Sequence, residues 1–600
     1  MSKKPYSGPT RKLLLAFDIG TTFSGVSYCI LNPGELPEIR TVTRFPYQGQ
    51  VGSDSKIPTL VWYNKDDIFE CAGAAALRPE TDTKADEGGW SKAEWFKMHL
   101  RPPSQRPAGF TNEIPSLPPN KNVVQVFGDF LRYLYDCTKE YIKDTHTNGD
   151  KILASVEDNT DVVLTQPNGW EGPQQAQMRK AAVIAGIVRN LDEAEKHVSF
   201  VTEGEASLHF CIQSGLSNEA MKKGEGTLIV DAGGGNVDLS AYRGKDNKFE
   251  EIAIPQCHFQ GSIYVTTRAR HHFNMQLGNS RFVQDVDNIV REFDKGPKHS
   301  FRNDQDSTII KFGSVRDNEP DLNIKSGQIR VPGDVVAGFF KPSIETIVKA
   351  AKEQCESSED KITSIFLVGG FAASDWLYKK LKEEFDPMGV RLSRPDSHVN
   401  KAVSDGAIYF YLDRSVNVRV SKWFYGVDSH VDFNPTDVDH QNRVHLIVTD
   451  PVTGNQTLYK RFVTILQQGK KVSEEKEFRE HFYKIFTEGA KPYQSTIKIL
   501  SYRGRSKRPR WIDDEAGKLY LHSLSIYADK YTNAATIEMD LTPLPGERKW
   551  SESQRKMLWR VKYDVVILFG LTELRAQVCW AQDGVEKRTP AKIIYEVEGP

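Results

Sequence analysis

The feature that most constrains this chain is one short pattern that occurs twice. Residues 13–30 (LLLAFDIGTTFSGVSYCI) and 227–242 (TLIVDAGGGNVDLSAY) each hold an apolar run that ends at an acid, a tight turn with glycine, and a second apolar run. β-Branched and aromatic residues on both sides of such a turn are typical of a β-hairpin. Either stretch alone is compatible with an ordinary hairpin. Because Asp18 and Asp231 lie 213 positions apart, the repetition predicts two similar lobes of domain size.

The residues of the two turns are suited to bind phosphate groups. Glycines let the backbone approach a ligand closely, and turn N–H groups form a concave site for anions. The residues concerned are Gly20, Thr21, Thr22 and Phe23 in the first turn, and Gly233, Gly234, Gly235 and Asn236 in the second. Carboxylates beside phosphates require a bridging cation, so Asp18 and Asp231 predict Mg²⁺ held through its water molecules. The chain contains no G-x-x-x-x-G-K-[ST] P-loop and no G-x-G-x-x-G fingerprint that opens a helix.

A third element lies in residues 364–385 (SIFLVGGFAASDWLYKKLKEEF). A buried type of strand runs into Gly369 and Gly370, and a helix with apolar residues at a spacing of four follows. At such a junction the backbone can pack closely against a flat group such as adenosine. The signal is weak by itself, because many α/β proteins contain similar turns.

Composition narrows the class of protein. The formal net charge of −1 argues against a general nucleic-acid binder and against a membrane-surface protein. The seven cysteines are scattered and form no C-x-x-C pair, which favours reduced thiols over a disulfide framework or a zinc site. Residues 13–17 are too short for a signal sequence, and no run reaches the length of a membrane span. We therefore expect a cytoplasmic protein, with the nucleus as the second location.

The three motifs together resemble a known family in their order and spacing. DIGTTFS, VDAGGGNVD and FLVGGFAAS are similar to the two phosphate motifs and the adenosine motif of the seventy-kilodalton heat-shock chaperones. That family belongs to the actin, sugar-kinase and heat-shock ATPase superfamily. The resemblance covers residues 10–413. It implies a two-lobed actin-like ATPase with duplicated ribonuclease-H-like domains. Lobe I would span 10–210 with a crossover helix at 400–413, and lobe II would span 211–399.

The resemblance also assigns roles to individual residues. Asp18 and Asp231 would organise Mg²⁺ and the attacking water, while Lys97 and Glu203 would complete the catalytic set for ATP, with ADP as product. A surface lysine and a structural acid are the alternatives for the latter two. Asn236 stands where the family has a threonine, and it could donate to a phosphate. Adenine would be contacted by Glu292 and Lys295, with Asp294 and Lys298 as competing candidates, and Phe371 could stack on the base.

The character of the chain changes beyond residue 415. Seven strand-like segments, among them LYKRFVTIL, LYLHSLSIYA and AKIIYEVE, predict a β-sandwich-like domain over 416–600. Asp583-Gly584 predicts a hairpin between the last two, and EEKEFREHFYKIF (474–486) is one helical candidate. The resemblance implies that this domain holds an unfolded peptide or protein client, without a full helical lid. The segment 412–423 (LDRSVNVRVSKW) is unlike the family's linker, so a standard J-domain co-chaperone is not expected as a partner.

Two other segments favour surface positions. Residues 101–119 are rich in proline and predict an irregular loop. Residues 503–510 (RGRSKRPR) form a basic cluster, which fits a solvated loop, a nuclear signal or a site for an acidic partner.

Four functions remain open from the sequence. The leading hypothesis is a slow ATP-hydrolysing, chaperone-like conformational switch. The second is a nucleotide-gated binding module with little or no turnover. A small-molecule kinase would leave the C-terminal domain unexplained, and an actin-like filament former has no counterpart to it.

Overall fold

The computed structural model divides the chain into two compact units. Unit 1 comprises Met1–Trp170 and Gln177–Asn417, and unit 2 comprises Glu171–Ala176 and Val418–Pro600. The structure describes residues 4–50, 55–102, 114–170, 172–213, 224–246, 248–395, 402–473, 476–487, 494–513, 530–552, 554–570, 573–589 and 593–594. The proline-rich segment 101–119 lies largely outside these residues. Among the described residues, no helix combines the length and the apolar character that crossing a bilayer requires.

The first sheet of unit 1 is built around the first predicted hairpin. Its strands are Lys12–Ile19, Phe23–Leu31, Ile39–Thr41, Ile57–Pro58, Thr160–Gln166 and Val198–Thr202. The hairpin Lys12–Leu31 is antiparallel, and Thr160–Gln166 runs parallel to its first strand. Leu13 to Ile19 are all buried, as expected for a strand covered on both faces.

Helices and a small sheet complete this half of unit 1. The helices are Pro79–Gly88, Val123–Thr145, Gly149–Ser155, Leu191–His197 and Glu203–Gln213. The helix Gly172–Ile184 also belongs to this half from Gln177 to its end. The small sheet consists of Leu60–Tyr63, Phe69–Ala72 and Ser91–Glu94. Phe127 and Phe130 of Val123–Thr145 pack into one core with Leu15 and Phe17 of the hairpin, and this core fixes the hairpin in place.

The second sheet repeats this plan around the second predicted hairpin. Its strands are Gly226–Ala232, Val237–Lys245, Lys248–Glu251, Gln256–His258, Ile362–Val368 and Arg391–Ser393. The hairpin Gly226–Lys245 is antiparallel, and Ile362–Val368 runs parallel to its first strand. In both sheets, therefore, the first hairpin strand lies between its antiparallel partner and a parallel strand. This mixed α/β arrangement is consistent with the predicted actin-like ATPase fold.

The remaining elements of unit 1 surround the second sheet or return from it. The helices are Ser262–Leu277, Val286–Lys295, Pro297–Ser300, Gly333–Ser357, Asp375–Phe385 and Ala402–Asp413. A small sheet contains Thr308–Lys311, Ile324–Lys325 and Gln328–Val331. The last helix crosses Glu203–Gln213 very closely, because a Cβ on Gly406 would lie 1.9 Å from the carbonyl oxygen of Ala206.

Unit 2 consists mainly of two antiparallel sheets. One holds Phe424–Asp432, Val448–Thr449, Gln456–Leu466, Gln494–Tyr502, Tyr531–Asp540 and Ile593–Ile594. The other holds Glu477–Thr487, Gly546–Ser551, Lys556–Gly570, Glu573–Gln582 and Val585–Arg588. Residues of both sheets, such as Ile499 and Val565, share one hydrophobic core. Val418–Val420, from the segment expected to be a linker, pair with Lys471–Ser473.

One predicted helix is wrong. Residues 474–486 were expected to be helical, but Glu477–Thr487 forms a strand that pairs with Lys556–Gly570. Phe478, Phe482 and Phe486 are four residues apart, and this spacing places them on one face of a helix and equally on one face of a strand. Packing decides the matter, since all three rings lie against the core that the two sheets share.

The predicted turn at Asp583-Gly584 exists, but its partner strand differs. Both residues have positive φ angles, 53° and 76°, as a two-residue hairpin turn requires. They join Glu573–Gln582 to Val585–Arg588 rather than to residues 591–598, of which only Ile593–Ile594 is described and pairs with Tyr531–Asp540. The predicted strand 519–528 lies outside the described residues.

Candidate functional site

The two hairpin turns meet each other. A Cβ on Gly234 would lie 2.4 Å from Thr22 Oγ1, and one on Gly235 would lie 2.4 Å from Thr21 Oγ1. No side chain larger than hydrogen fits at either glycine without a shift of the opposite turn. The second turn is also held by a backbone hydrogen bond, because the N–H of Ile263 donates to the carbonyl of Gly234 (2.9 Å). The glycine-rich turns therefore meet in one surface that includes the side chains of Thr21 and Thr22.

A threonine hydroxyl in this surface is unsatisfied. Thr21 is 3% exposed, and its Oγ1 finds no hydrogen-bond partner among the residues that the structure describes. A buried hydroxyl without a partner costs about 1–3 kcal/mol, so native proteins seldom leave one without a reason. It lies between the two turns and is able to donate a hydrogen bond to an anion.

The first hairpin acid is held as a carboxylate by lysine. Lys56 Nζ donates to Asp18 Oδ2 (2.7 Å), and Thr165 Oγ1 donates to Asp18 Oδ1 (2.9 Å). Burial disfavours the charge on Asp18, but the positive charges of Lys56 and Lys97 outweigh it and hold the pKa of Asp18 below its usual value. Asp18 is therefore ionised throughout the physiological pH range.

The second hairpin acid has a different environment. Asp231 is 4% exposed and accepts a hydrogen bond from Ser207 Oγ (2.8 Å). Burial, together with the negative charges of Glu203 and Asp18, raises the pKa of Asp231 to about 7. Gly369 lies directly against it, because a Cβ there would be 2.4 Å from Asp231 Oδ1. Near neutral pH this carboxyl group is therefore ready to gain or lose a proton.

A buried ion pair lies beside these acids. Lys97 is 2% exposed; its Nζ donates to Glu203 Oε1 (2.6 Å) and lies 5.5 Å from the centre of the Trp170 ring. The sequence alternative for Lys97, a lone surface lysine, is wrong. The amide of Asn236 donates to Glu203 Oε2 (3.2 Å) and also to Asp238. The structure therefore directs Asn236 at two carboxylates rather than at a phosphate, the role suggested from the sequence.

The short helix that carries Lys97 is packed against the second half of unit 1. Phe96–Leu100 forms a single 3₁₀ turn, and Met98 clusters with Phe259, Ile263 and Tyr264. Met98 also borders the second turn, because a Cβ on Gly235 would lie 2.7 Å from its sulfur. Lys97 is therefore positioned by contacts with residues near both turns.

The residues predicted to contact adenine are not brought together. Phe371 is 2% exposed and stacks on Phe340 in the hydrophobic core, with ring centres 6.2 Å apart. Its expected role as a stacking surface for the base is therefore wrong, because the ring already has an apolar partner. Glu292 and Lys295 form a solvent-exposed pair one helical turn apart. Gly370 has no neighbour within 4 Å of an added Cβ, so the backbone there is open.

The competing pair from the same segment is the more buried one. Lys298 is 5% exposed and forms an ion pair with Asp294, which also accepts a hydrogen bond from Thr266 Oγ1 (2.5 Å). Burial opposes ionisation of Asp294, but the charge of Lys298 prevails and lowers the pKa of Asp294. The structure favours a structural role for this pair.

Several residues around the site were missed from the sequence. Lys56 is brought to Asp18 because Ile57–Pro58 pairs with the start of Phe23–Leu31. Ser207 follows Glu203 by four residues and shares its helix face. Asp238 lies opposite Asp231 in the second hairpin, and burial together with the charge of Glu203 raises its pKa. Only the i, i+4 spacing of Glu203 and Ser207 could have been recognised beforehand, since the other contacts depend on strand pairing.

A comparison with known proteins gives sequence relatives but no matching family model. No family model matches the chain. Over 506 residues it is 23% identical to heat shock 70 kDa protein 12A of human and of mouse, which covers 69% of this chain and 72% of each relative. Over 598 residues it is 21% identical to human heat shock 70 kDa protein 12B, covering 84% of this chain and 82% of that protein. These matches support a resemblance to a divergent branch of the heat shock 70-like proteins. The resemblance predicted from the three motifs is thereby confirmed.

Proposed function

We propose that this chain binds ATP with Mg²⁺ between its two hairpin turns and hydrolyses it slowly, as a chaperone-like conformational switch. The observation that carries the proposal is the convergence of Asp18, Lys97, Glu203 and Asp231 in one buried cluster beside two touching glycine turns. The proposed frame is a pair of ribonuclease-H-like lobes, as in actin-like ATPases.

The site offers what a chain of phosphates needs. Two cations, Lys56 and Lys97, supply positive charge in a region closed to water. The free hydroxyl of Thr21 supplies a donor that has no other partner among the described residues. Because phosphoryl transfer is catalysed mainly by positioning and by electrostatic stabilisation, a preformed buried arrangement of this kind suits the reaction.

The donor set also fits magnesium. Among the described residues, no group of three or more His, Cys, Asp or Glu side chains is arranged to hold a metal ion. Mg²⁺ usually keeps several waters and uses one or two carboxylates together with phosphate oxygens, and Asp18 and Asp231 would serve it in this way. The ion would neutralise charge on the phosphates. Removing a proton from Asp231 is easy at neutral pH because the pKa of that carboxyl group is already about 7.

Glu203 is suited to orient the attacking water. Its Oε1 accepts from Lys97 and its Oε2 accepts from Asn236, so both oxygens are fixed in direction. A carboxylate held in this manner retains further lone pairs for a water molecule. In this proposal Lys97 and Asn236 position Glu203, and Glu203 positions the water.

The C-terminal unit is proposed to sense the state of the ATPase and to bind an unfolded peptide or protein client. Two antiparallel sheets that share a core support a sandwich-like domain of the kind that can present a peptide site. The segment 412–423 differs from the family's linker, and its residues 418–420 pair within a sheet. A standard J-domain co-chaperone is therefore not proposed as a partner.

A second candidate is a nucleotide-gated binding module with little turnover. Two observations favour it. Phe371 is held in the core, and Asn236 is engaged by Glu203 and Asp238, so neither is available for the nucleotide contacts expected of it. Without the phosphate contact of Asn236, turnover would be slowed, while the backbone of both turns could still bind nucleotide.

The test compares formation of ADP from Mg·ATP by the purified full-length chain and by Asp231→Ala. The proposal predicts turnover in the wild type and a loss of about 10²–10³-fold in the variant, since one preorganised group of this kind is removed. Nucleotide affinity should change much less, because the backbone contacts of both turns remain. Lys352→Ala, in an exposed ion pair with Glu384, is the control and should keep full turnover.

The outcomes separate the two candidates. ATP binding with no wild-type turnover above the Asp231→Ala background would establish the gated module and overturn hydrolysis. Absence of both binding and turnover in a folded protein would overturn the proposed nucleotide site.

A further inference from the structure

A buried glutamine beside the catalytic cluster has an unpaired acceptor. Gln166 is the last residue of the strand Thr160–Gln166 and is 1% exposed. Its Oε1 finds no hydrogen-bond partner among the residues that the structure describes. Leaving such an atom unpaired costs about 1–3 kcal/mol, and a catalytic role or a bound water is a common explanation for it.

The neighbours of Gln166 in the sheet and along the chain belong to the proposed ATPase site. Gln166 pairs with Thr202, the residue directly before Glu203. Thr165, directly before Gln166, donates to Asp18 Oδ1 (2.9 Å). The end of this strand therefore lies between two of the acids of the catalytic cluster.

The direction of the glutamine side chain follows from the alternation of the strand. Successive side chains of a strand point to opposite faces, so Gln166 shares a face with Leu164. Leu164 belongs to the same core as Phe96 and Trp170, and Phe96 directly precedes Lys97 on its 3₁₀ turn. Gln166 therefore lies on the face of the sheet from which Lys97 approaches the cluster.

An unpaired donor belongs to the same region. Trp170 is 3% exposed, and its Nε1 finds no hydrogen-bond partner among the described residues. The backbone N–H of Trp170 donates to the carbonyl of Pro167 (3.1 Å), so the chain turns back directly after Gln166. Lys97 Nζ lies 5.5 Å from the centre of the indole ring. A buried acceptor and a buried donor near each other suit a water molecule, which both donates and accepts.

The chemistry of the amide oxygen narrows the choice of ligand. The Oε1 of Gln166 offers only lone pairs, and the phosphate oxygens of ATP at neutral pH are acceptors as well. The group that it binds must therefore bring a hydrogen. The donors of the nucleotide itself, the ribose hydroxyls and the adenine amino group, lie at the opposite end from the γ-phosphate. A water molecule at the γ-phosphate meets the requirement.

We propose that Gln166 is a further catalytic residue, whose Oε1 accepts a hydrogen bond from the attacking water. This inference rests on the proposed function, in which Glu203 orients the same water. The two acceptors then engage the two hydrogens of the water, and Trp170 Nε1 donates to one of its lone pairs. The remaining lone pair is directed at phosphorus, so less rotational freedom is lost on the way to the transition state. The amide oxygen takes no proton.

The experiment compares the affinity of the full-length protein for Mg·ADP alone and for Mg·ADP with aluminium fluoride, which imitates the transferred phosphoryl group and its attacking water. Gln166→Leu is similar in size and has no polar atom. It should bind the aluminium fluoride complex about tenfold more weakly, because one hydrogen bond to the water is lost, and its affinity for Mg·ADP should stay within about threefold. In the ligand-free state it should melt at the wild-type temperature or higher, since an unpaired buried atom is removed.

Gln276→Leu is the matched control. Gln276 is a partly buried glutamine of the helix Ser262–Leu277, and it lies about 20 Å further along that helix than Ile263, which contacts the second hairpin turn. This variant should leave both affinities within about threefold of the wild type.

The outcomes separate this inference from the proposed function. A folded wild type that does not bind Mg·ADP, or that gains no affinity from aluminium fluoride, would overturn both. A wild type that gains affinity from aluminium fluoride to the same extent as Gln166→Leu would overturn this inference alone. A Gln166→Leu protein that melts at a lower temperature and loses both affinities equally would also overturn it, because the side chain would then have a structural role.

Discussion

The two hairpins carry an acid at the same place, and yet the two acids differ in charge state. Asp18 lies beside Lys56 and Lys97, and its pKa is lowered in spite of burial. Asp231, at the end of an equivalent strand, is buried beside Glu203 and has its pKa raised to about 7. The local motif is nearly the same in both. What differs is the set of charged residues that distant parts of the chain deliver to each turn.

Because of this difference, Asp18 and Asp231 respond differently to a bound cation. Asp18 is a permanent negative charge that is already balanced by lysine. Asp231 is a group whose ionisation is sensitive to any new positive charge, so a bound cation would convert it to the carboxylate. Two identical acids could not respond separately in this way, since like charges in one buried site resist simultaneous ionisation.

The largest expected effect comes from crowding Asp231 directly. Gly369 has φ = 90° and would place a Cβ 2.4 Å from Asp231 Oδ1. Gly369→Ala should lower the free energy of unfolding by about 4 kcal/mol, from the left-handed backbone and the overlap together. Gly389→Ala is the matched control, because Gly389 has φ = 71° but no atom within 4 Å of the added Cβ; it should cost about 1 kcal/mol. Urea denaturation measures both, and equal losses would show that Asp231 is not confined by Gly369.

The next largest effect is expected from replacing Lys56, the lysine that lowers the pKa of Asp18. Lys56→Met leaves a buried carboxylate without its closest cation, and the free energy of unfolding should fall by about 3 kcal/mol. The pKa of Asp18 should rise toward that of Asp231, so the two hairpins become alike. Lys352→Met, in the exposed pair with Glu384, should change stability by less than about 1 kcal/mol. A Lys56→Met protein as stable as the wild type would contradict the assigned role.

A smaller effect depends on pH. The pKa of Asp231 is raised from 3.8 to about 7 on folding, so its contribution to stability is present below about pH 4 and is lost as the pH rises to 7. Asp231→Asn has no such titration. Its stability advantage over the ligand-free wild type should grow by about 2 kcal/mol between pH 5 and pH 7 and level off above about pH 8. Thermal unfolding of both proteins at several pH values is the measurement, and an advantage that does not vary with pH would refute the raised pKa.

The sequence was informative wherever a pattern was local. Both hairpins, the acids at their ends, the glycine turns and the strand that ends at Gly369 follow from apolar runs and turn residues. Lys97 and Glu203 were predicted as site residues from the family resemblance, and the structure places them together. Five long strands of unit 2 were also predicted from strand-like segments of the sequence, namely Gln456–Leu466, Gln494–Tyr502, Tyr531–Asp540, Lys556–Gly570 and Glu573–Gln582.

The features that failed depend on contacts between distant residues. Phe371 was predicted to stack on a base because nothing in its own segment reveals that Phe340 already packs against it. Lys56 was overlooked because only the pairing of Ile57–Pro58 with the first hairpin brings it to Asp18. A helix was predicted for residues 474–486 because a spacing of four suits both a helix and a strand. In each case tertiary packing supplied information that the local pattern lacks.

The two hairpin turns are proposed to bind phosphate together, and Thr21 offers the sharpest way to check that proposal. The hydroxyl of Thr21 is buried and has no partner among the described residues, so it should stabilise a bound nucleotide and not the ligand-free protein. Thr165→Val is the control, since that hydroxyl donates to Asp18 and its loss should lower stability by about 1 kcal/mol.

The measurement is the affinity for Mg·ATP, by titration calorimetry, together with the melting temperature of the ligand-free protein. Thr21→Val is expected to bind Mg·ATP about tenfold more weakly, by about 1.4 kcal/mol, and to melt at the same temperature as the wild type or higher. An unchanged affinity, or a lower melting temperature with unchanged affinity, would contradict the assignment of the two turns as the phosphate site.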